Sequence, residues 1–291
     1  MSKKLSVLVI GATGNQGGSV TRHLLKKGHQ VRTLTRNPHS TKAEKLSEQG
    51  VEVVQGSFTD AASLVRAAKG MDTLFAMTTP FEIGVEGETR QGIAIADAAK
   101  QAGVGHLVFT SVASADRQTG IPHFDSKYEV EKYLATRNIP YTISAPVFFM
   151  DNWFAPWFLP SIQEGTLKFA LPADRPLQQV SVDNIGEFAA ALIERREKVF
   201  GKRFDIAGDE LTGTRVVAVI SKVSGRDIGY ASFDPELMRA DNSDFADMFV
   251  WFNKVGYSVD IEKLRNDFPE VPWQTFENWA NQQDWSLLNK E

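Results

Sequence analysis

At 291 residues, 42 % of them hydrophobic, the chain is long enough for one large α/β domain or a domain with a smaller appendage, and it can bury a sizeable core. It has no cysteine, which excludes a disulfide framework, a thiolate nucleophile and a Cys-ligated metal, and its five histidines at 23, 29, 39, 106 and 123 show no metal-ligand spacing, so no catalytic metal is expected. The net charge of −4 hides an asymmetry: the first 43 residues hold eight Lys or Arg and no Asp or Glu, so the remainder carries −12.

The first expected strand, residues 5–10, runs into Gly11-Ala12-Thr13-Gly14-Asn15-Gln16-Gly17 and then into a helical pattern over 17–27. Glycines spaced three apart between a strand and a helix build a diphosphate cradle. Unpaired N–H groups and the positive end of the helix dipole favour an anion, and its close approach leaves no room for a Cβ. Gly11, Thr13, Gly14, Asn15, Gln16 and Gly17 are therefore assigned to a dinucleotide. The second strand, 30–35, decides which one. A dinucleotide fold carries Asp or Glu about 20 residues past the glycines to hold a ribose 2′-hydroxyl, and an Arg to accommodate a 2′-phosphate. Here the strand ends at Arg36, with Lys42 just beyond and no acid before Glu44. The expected cofactor is NADP(H), not NAD(H). A basic N-terminal segment also suits nucleic acid or a membrane surface, but Arg36 and Lys42 have this nearer anion, and Lys26 and Lys27 fall on a solvated helix face. Neither is expected as a direct partner. The apolar run after Met1-Ser2-Lys3-Lys4 stops at Ile10, too short for a leader, and no stretch reaches the roughly 18 apolar residues of a membrane span. A cytoplasmic protein is expected.

Further strands over 51–55, 73–77, 106–111 and 141–145 alternate with helices over 61–69, 88–102 and 124–136. This βαβ rhythm predicts a Rossmann-type doubly wound parallel sheet. Gly28, Gly70 and Gly103 stand where left-handed C-caps belong, and Asp60 where an N-cap belongs. Ligands of such sheets bind beyond the carboxyl ends of the strands. That adds Ser57 and Phe58 after the third strand, and Thr78 and Thr79 after the fourth, to the cofactor set. It also makes Ser111, at the end of the fifth, a catalytic candidate facing the cofactor. His123 and Lys127 lie four apart, on one face of the following helix if it starts that early. Both are catalytic candidates, and Lys127 is expected to donate to the nicotinamide ribose hydroxyls as well.

After Pro146 the texture changes: residues 148–158 hold six aromatics. Beside a nicotinamide, Phe149, Asn152 and Trp153, with Phe81 as an opposite wall, would frame a slot for a flat aromatic acceptor. The same rings also suit a lobe core or a protein interface. The chain then returns to the sheet through a strand over 179–182, a helix over 185–196 and a strand over 203–207, before helices over 214–223, 235–255 and 276–284. The expected organisation is a cofactor lobe of residues 1–150, rejoined by 178–208, and a smaller, partly helical lobe of residues 151–177 and 209–291 that takes substrate or partner.

The runs 11–17, Thr35-Arg36-Asn37-Pro38 and His123-Phe124-x-x-Lys127-x-x-Val130-Glu131-x-Tyr133-Leu134 resemble the NmrA-like family of atypical short-chain dehydrogenases. Val180-Ser181-Val182-Asp183-Asn184-Ile185-Gly186, Ala207-Gly208-Asp209-Glu210-Leu211-Thr212 and Gly256-Tyr257-Ser258-Val259-Asp260-Ile261 extend the resemblance over nearly the whole chain. It implies a Rossmann-type fold, a preference for NADP(H) and one of two functions: sensing the NADP(H) pool for a regulatory protein partner, or reducing quinones, triarylmethane dyes or related aromatic electrophiles. It also places His123 where short-chain dehydrogenases carry the Tyr of Tyr-x-x-x-Lys. An alkoxide forming in a transition state needs a positioned proton donor. A quinone needs one less, because hydride addition leaves a phenolate-like oxygen whose conjugate acid has a pKa of about 10, and a cationic dye is simply neutralised. The expected activity is NADPH-dependent reduction of a quinone or similar conjugated aromatic acceptor, with the redox sensor as the alternative. A homodimer is compatible with either.

Overall fold

The computed structural model describes residues 4–289; Met1, Ser2 and Lys3 of the leader-like start lie outside them. In chain order the first half reads β1 (Ser6–Ile10), α1 (Asn15–Lys26), β2 (Gln30–Thr35), α2 (Thr41–Glu48), β3 (Glu52–Gln55), α3 (Ala61–Ala68), β4 (Thr73–Met77), α4 (Gly84–Gln101), β5 (Leu107–Thr110), α5 (Pro122–Ala135) and β6 (Tyr141–Pro146). Val7 to Ile10 are buried to within 1 %, as an unbroken apolar run must be when a central parallel strand is covered on both faces. β1 pairs in parallel with β2 on one side and β4 on the other. The expected caps are present. Gly28, Gly70 and Gly103 adopt φ of +83°, +79° and +72°, and the Asp60 carboxylate accepts from the Ser63 N–H at 3.1 Å. α2 was not expected from the sequence. It buries two residues, Ala43 and Leu46, too thin an apolar face to show a period, and it rests on its Ser40 cap.

The rest of the chain adds β7 (Phe148–Phe149), α6 (Leu159–Gln163), β8 (Thr166–Phe169), β9 (Pro176–Val180), α7 (Val182–Glu194), α8 (Arg196–Val199), β10 (Arg203–Ile206), β11 (Asp209–Thr212), α9 (Gly213–Ser224), β12 (Gly229–Ser232), α10 (Ser243–Lys254), α11 (Ile261–Asp267) and α12 (Phe276–Ala280). The expected long helix over 235–255 is divided. A 3-10 turn covers Pro235–Met238, and α10 begins afresh where the Asn242 side chain accepts from the Phe245 N–H at 3.0 Å. β8, β11, β12 and α11, none expected, are short, and the strands form a parallel pair and part of a three-stranded sheet. Pairing of that kind depends on distant partners and leaves little trace in a four-residue window.

The main sheet has seven strands in the order β3-β2-β1-β4-β5-β6-β10, the α/β Rossmann-type arrangement read from the sequence. The chain forms two compact units. One holds the chain up to Gln118, Pro122–Ala145 and Ile185–Asp205; the other holds Thr119–Ile121, Pro146–Asn184 and the chain from Ile206 onward. The second unit has its own core, in which Phe148, Trp153, Phe158, Phe169 and Phe249 meet ring against ring. Among the described residues no helix is long and apolar enough to cross a membrane.

Candidate functional site

Strand order reverses between β1 and β4, and a crevice opens beyond the carboxyl ends of strands at such a point. The turn leaving β1 is built around Gly11, at φ +76°, whose carbonyl accepts from the Gly14 N–H at 2.9 Å. The glycines then differ in what holds them. A Cβ on Gly17 would stand 2.4 Å from the Gly11 oxygen, so the packing of α1 on the turn demands glycine there. A Cβ on Gly14 would meet nothing in the protein closer than 3.4 Å. Gly14 is the exposed N-cap of α1, with no side-chain cap and no acid in the first helical turn, which leaves the first N–H groups of the helix without partners along the helix. Beside it the Gln16 Oε1 is buried without a hydrogen-bond partner. Open space at Gly14 and a donor-rich helix start fit a diphosphate; the Gln16 oxygen only accepts and offers the anion nothing.

At the end of β2 the two arginines have different fates. Arg32 is bound by Glu52 at 2.8 Å and by the carbonyls of Ala67 and Lys69. The Arg36 side chain is 81 % exposed and meets Glu82 at 4.0 Å, a distance at which an exposed pair holds little. Lys42, in the first turn of α2, is exposed too. No acid lies on β2. Ser57 and Phe58 follow β3 past Gly56; the Ser57 N–H donates to Ser63 Oγ, and the Phe58 ring packs partly on the sheet core.

At the end of β4 the Thr78 hydroxyl is buried and donates to Glu88 Oε1 at 3.1 Å. Thr79 follows, half-buried, and Pro80 starts a tight turn in which its carbonyl accepts from the Gly84 N–H at 2.7 Å. This turn carries Phe81, 71 % exposed. α5 starts at Pro122, early enough to place His123 and Lys127 one turn apart on one face. Lys127 Nζ donates to Glu88 Oε1 at 2.5 Å and to the Thr78 carbonyl at 3.1 Å. His123 is buried, edge-on to Phe124. Glu88 and Ser126, both in contact with this group, were missed by sequence reading. The available signal was faint: Glu88 is one of three carboxylates on α4, with Glu86 and Asp97, and differs only in standing between Gly87 and Gly92.

Two expected site residues are placed differently. Ser111 is buried, and its hydroxyl donates to Glu131 of α5. Burial pushes the Glu131 carboxyl up, against the opposing pull of the Arg203 guanidinium 2.9 Å away. With its proton directed at Glu131, Ser111 is not poised to serve an acceptor oxygen, and its catalytic role is withdrawn. In the second unit Phe149 and Asn152 are half-buried, but Trp153 is 1 % exposed. Its indole N–H donates to Gln179 Oε1 at 2.9 Å, and its ring lies 5.1 Å from that of Phe169. A slot wall needs a free face, and Trp153 has none; it is core.

A model of the NmrA-like family matches residues 3–280. The NmrA-like family domain-containing protein DDB_G0286605 of Dictyostelium discoideum is 30 % identical over 274 residues, 88 % of this chain and 89 % of that one. Quinone oxidoreductase 2 of Escherichia coli (strain K12) is 29 % identical over 227 residues, 77 % of this chain and 76 % of its own. The crystal structure of the Escherichia coli NADPH-dependent quinone oxidoreductase QOR2 complexed with NADPH matches with a TM-score of 0.80 at 26 % identity, covering 94 % of this chain and 98 % of that one. The Citrobacter sp. triphenylmethane reductase complexed with NADP(H) shares the fold, with a TM-score of 0.80 at 23 % identity over 96 % of this chain and 99 % of its own.

Proposed function

The chain belongs to the NmrA-like family, and on that premise we propose that it is an NADPH-dependent reductase that passes hydride to a quinone or a similarly conjugated aromatic acceptor. One observation carries the reading: Arg36 ends β2 exposed, unneeded by the fold and with no acid on its strand, beside a glycine turn open at Gly14. The Escherichia coli relatives, one of them complexed with NADPH, support it.

In this reading the α1 turn, with Thr13, Gly14, Asn15, Gln16 and the donors around them, binds the diphosphate, and Arg36 with Lys42 grips the 2′-phosphate through charge-assisted bonds. Ser57 and Phe58 flank the adenosine end. Thr78, Thr79 and Lys127 hold the nicotinamide end. The bound dinucleotide supplies the hydride; the protein supplies proximity and orientation. No tyrosine stands one turn before Lys127, and His123 in that place is buried, so the acceptors served are those that need no positioned acid. Phe81 offers an exposed ring to a flat acceptor.

NADPH oxidation against a panel of quinones and cationic triarylmethane dyes tests the reading. Turnover with at least one class is expected. Tight NADP(H) binding without turnover on any acceptor would move the protein to the sensor class.

A further inference from the structure

α4 and α5 approach closely because Gly92 faces Val130. A Cβ on Gly92 would stand 2.4 Å from a Val130 methyl carbon. One turn before Gly92, this approach sets Glu88 against Lys127. The Glu88 side chain is wholly buried, yet each of its oxygens is satisfied. Oε1 accepts from Lys127 Nζ at 2.5 Å and from Thr78 Oγ1 at 3.1 Å; Oε2 accepts from Ser126 Oγ at 2.5 Å. Lys127, 12 % exposed at its side chain, donates a second bond to the Thr78 carbonyl. An ammonium has three N–H donors, so one remains uncommitted. A carboxylate is sustained in such burial when its charge is matched and its lone pairs are filled. The match here is Lys127, and the pair is neutral as a unit at the carboxyl end of β4.

Resting on the cofactor reading above, we propose that Glu88 is a positioning residue that acts on the dinucleotide through Lys127. It turns the ammonium so that a single donor is left for the ribose hydroxyls, and it cancels the ammonium charge. The oxidised nicotinamide is cationic and the reduced one neutral, so a bare buried ammonium at this strand end would discriminate against the oxidised form by Coulomb repulsion in a medium that screens poorly. The Glu88–Lys127 pair removes that bias. Glu88 thereby sets how evenly the site holds the two redox forms, which is what a reductase that takes in one and releases the other requires.

Separate titrations of the folded protein with NADP+ and NADPH test this. In the native protein NADP+ is expected to bind no more than about tenfold more weakly than NADPH. Glu88→Gln preserves shape and removes the charge, and is expected to weaken NADP+ relative to NADPH by roughly five- to twentyfold. The double variant Glu88→Gln/Lys127→Met is neutral again. It is expected to bind both forms more weakly, through the lost donor, while the ratio returns to within about threefold of native. A merely structural role would weaken both forms alike and leave the ratio unmoved. An unchanged ratio in folded Glu88→Gln, or a ratio the double variant does not restore, overturns the proposal. If Glu88→Gln does not fold, the native protein decides: a native NADP+ affinity more than about tenfold below that for NADPH overturns it, and a smaller gap supports it. Native protein that binds neither form brings down the cofactor reading as well, which separates that failure from this one.

Discussion

Arg36, Gly14 and His106 each show how a single position divides fold from function. Arg36 meets Glu82 at 4.0 Å and is otherwise presented to solvent, so its replacement should leave stability near native. A charge-assisted bond is worth about 1.5–3 kcal/mol; Arg36→Asp should therefore weaken NADPH by roughly ten- to a hundredfold and reverse the preference over NADH, as calorimetric titration of both would show. Equal native affinity for NADH would dismiss the 2′-phosphate assignment. Gly14→Val should abolish dinucleotide binding with a near-native melting temperature, since the protein leaves that Cβ 3.4 Å of room. Gly17→Ala, forced to 2.4 Å from the Gly11 oxygen, should instead lose about 1–3 kcal/mol of stability through overpacking. His106, buried beside Thr142 at 2.9 Å, has a pKa lowered to about 3, by burial first and then by Arg196. A lowered folded pKa means the unfolded chain binds the proton first, so this residue stabilises the fold above pH 6.5 and that contribution is lost as pH falls towards 3, with a slope of up to about 1.4 kcal/mol per pH unit. Denaturant midpoints from pH 7 to 4 should fall less steeply in His106→Gln than in the native protein.

At the scale of elements α4 pairs with α5 through Glu88 and Lys127, and on the proposed reading this pairing governs the nicotinamide end. Removing one partner of a buried pair strands the other, at a cost of about 3–5 kcal/mol. Lys127→Ala should thus lose both stability and turnover, whereas Lys127→Met with Glu88→Gln should recover much of the stability and little of the turnover. Thermal melts and steady-state rates on the same preparations distinguish the two effects. His123→Phe should leave quinone reduction within about threefold of native, because the acceptor oxygen is protonated by water. A collapse of activity in that variant with the fold intact would make His123 the acid. Helix α5 beginning at Pro122 was legible two residues late in the sequence, where the apolar pattern suggested residue 124; a proline suits the first helical turn, so the boundary falls where its fixed φ allows.

For the whole molecule the aromatic segment is the informative case. Six rings in 148–158 read equally well as a slot or as a core, and the structure divides them. Phe148, Trp153 and Phe158 are buried, and Trp157 is 56 % exposed. Trp153→Ala should cost about 3–5 kcal/mol as a cavity mutation, lowering the melting temperature by roughly 10 °C in a protein of this size. Phe81→Ala should change stability by less than about 0.5 kcal/mol and raise KM for aromatic acceptors while NADPH affinity holds. A stable Trp153→Ala protein with a raised KM would restore Trp153 to the slot. NADPH at about 100 times its Kd should add about 2.7 kcal/mol of apparent stability, and Arg36→Asp should cut that gain to about 0.4–1.4 kcal/mol at the same concentration.

The sequence by itself determined the sheet, its glycine turn and the sign of the charge at the end of β2, because these are local. A buried parallel strand is an apolar run, a left-handed cap is a glycine, and an absent carboxylate can be counted. Three of the four helices between β1 and β5, all but α2, and the family itself followed from such signals. Only the tertiary structure decided which polar groups meet. Glu88 and Lys127 lie 39 residues apart and touch because Gly92 lets two helices close; Ser111 turns to Glu131 across 20 residues; Trp153 finds Gln179 across 26. No periodicity carries that information, since a hydrogen bond between distant segments is chosen by packing after the elements have formed.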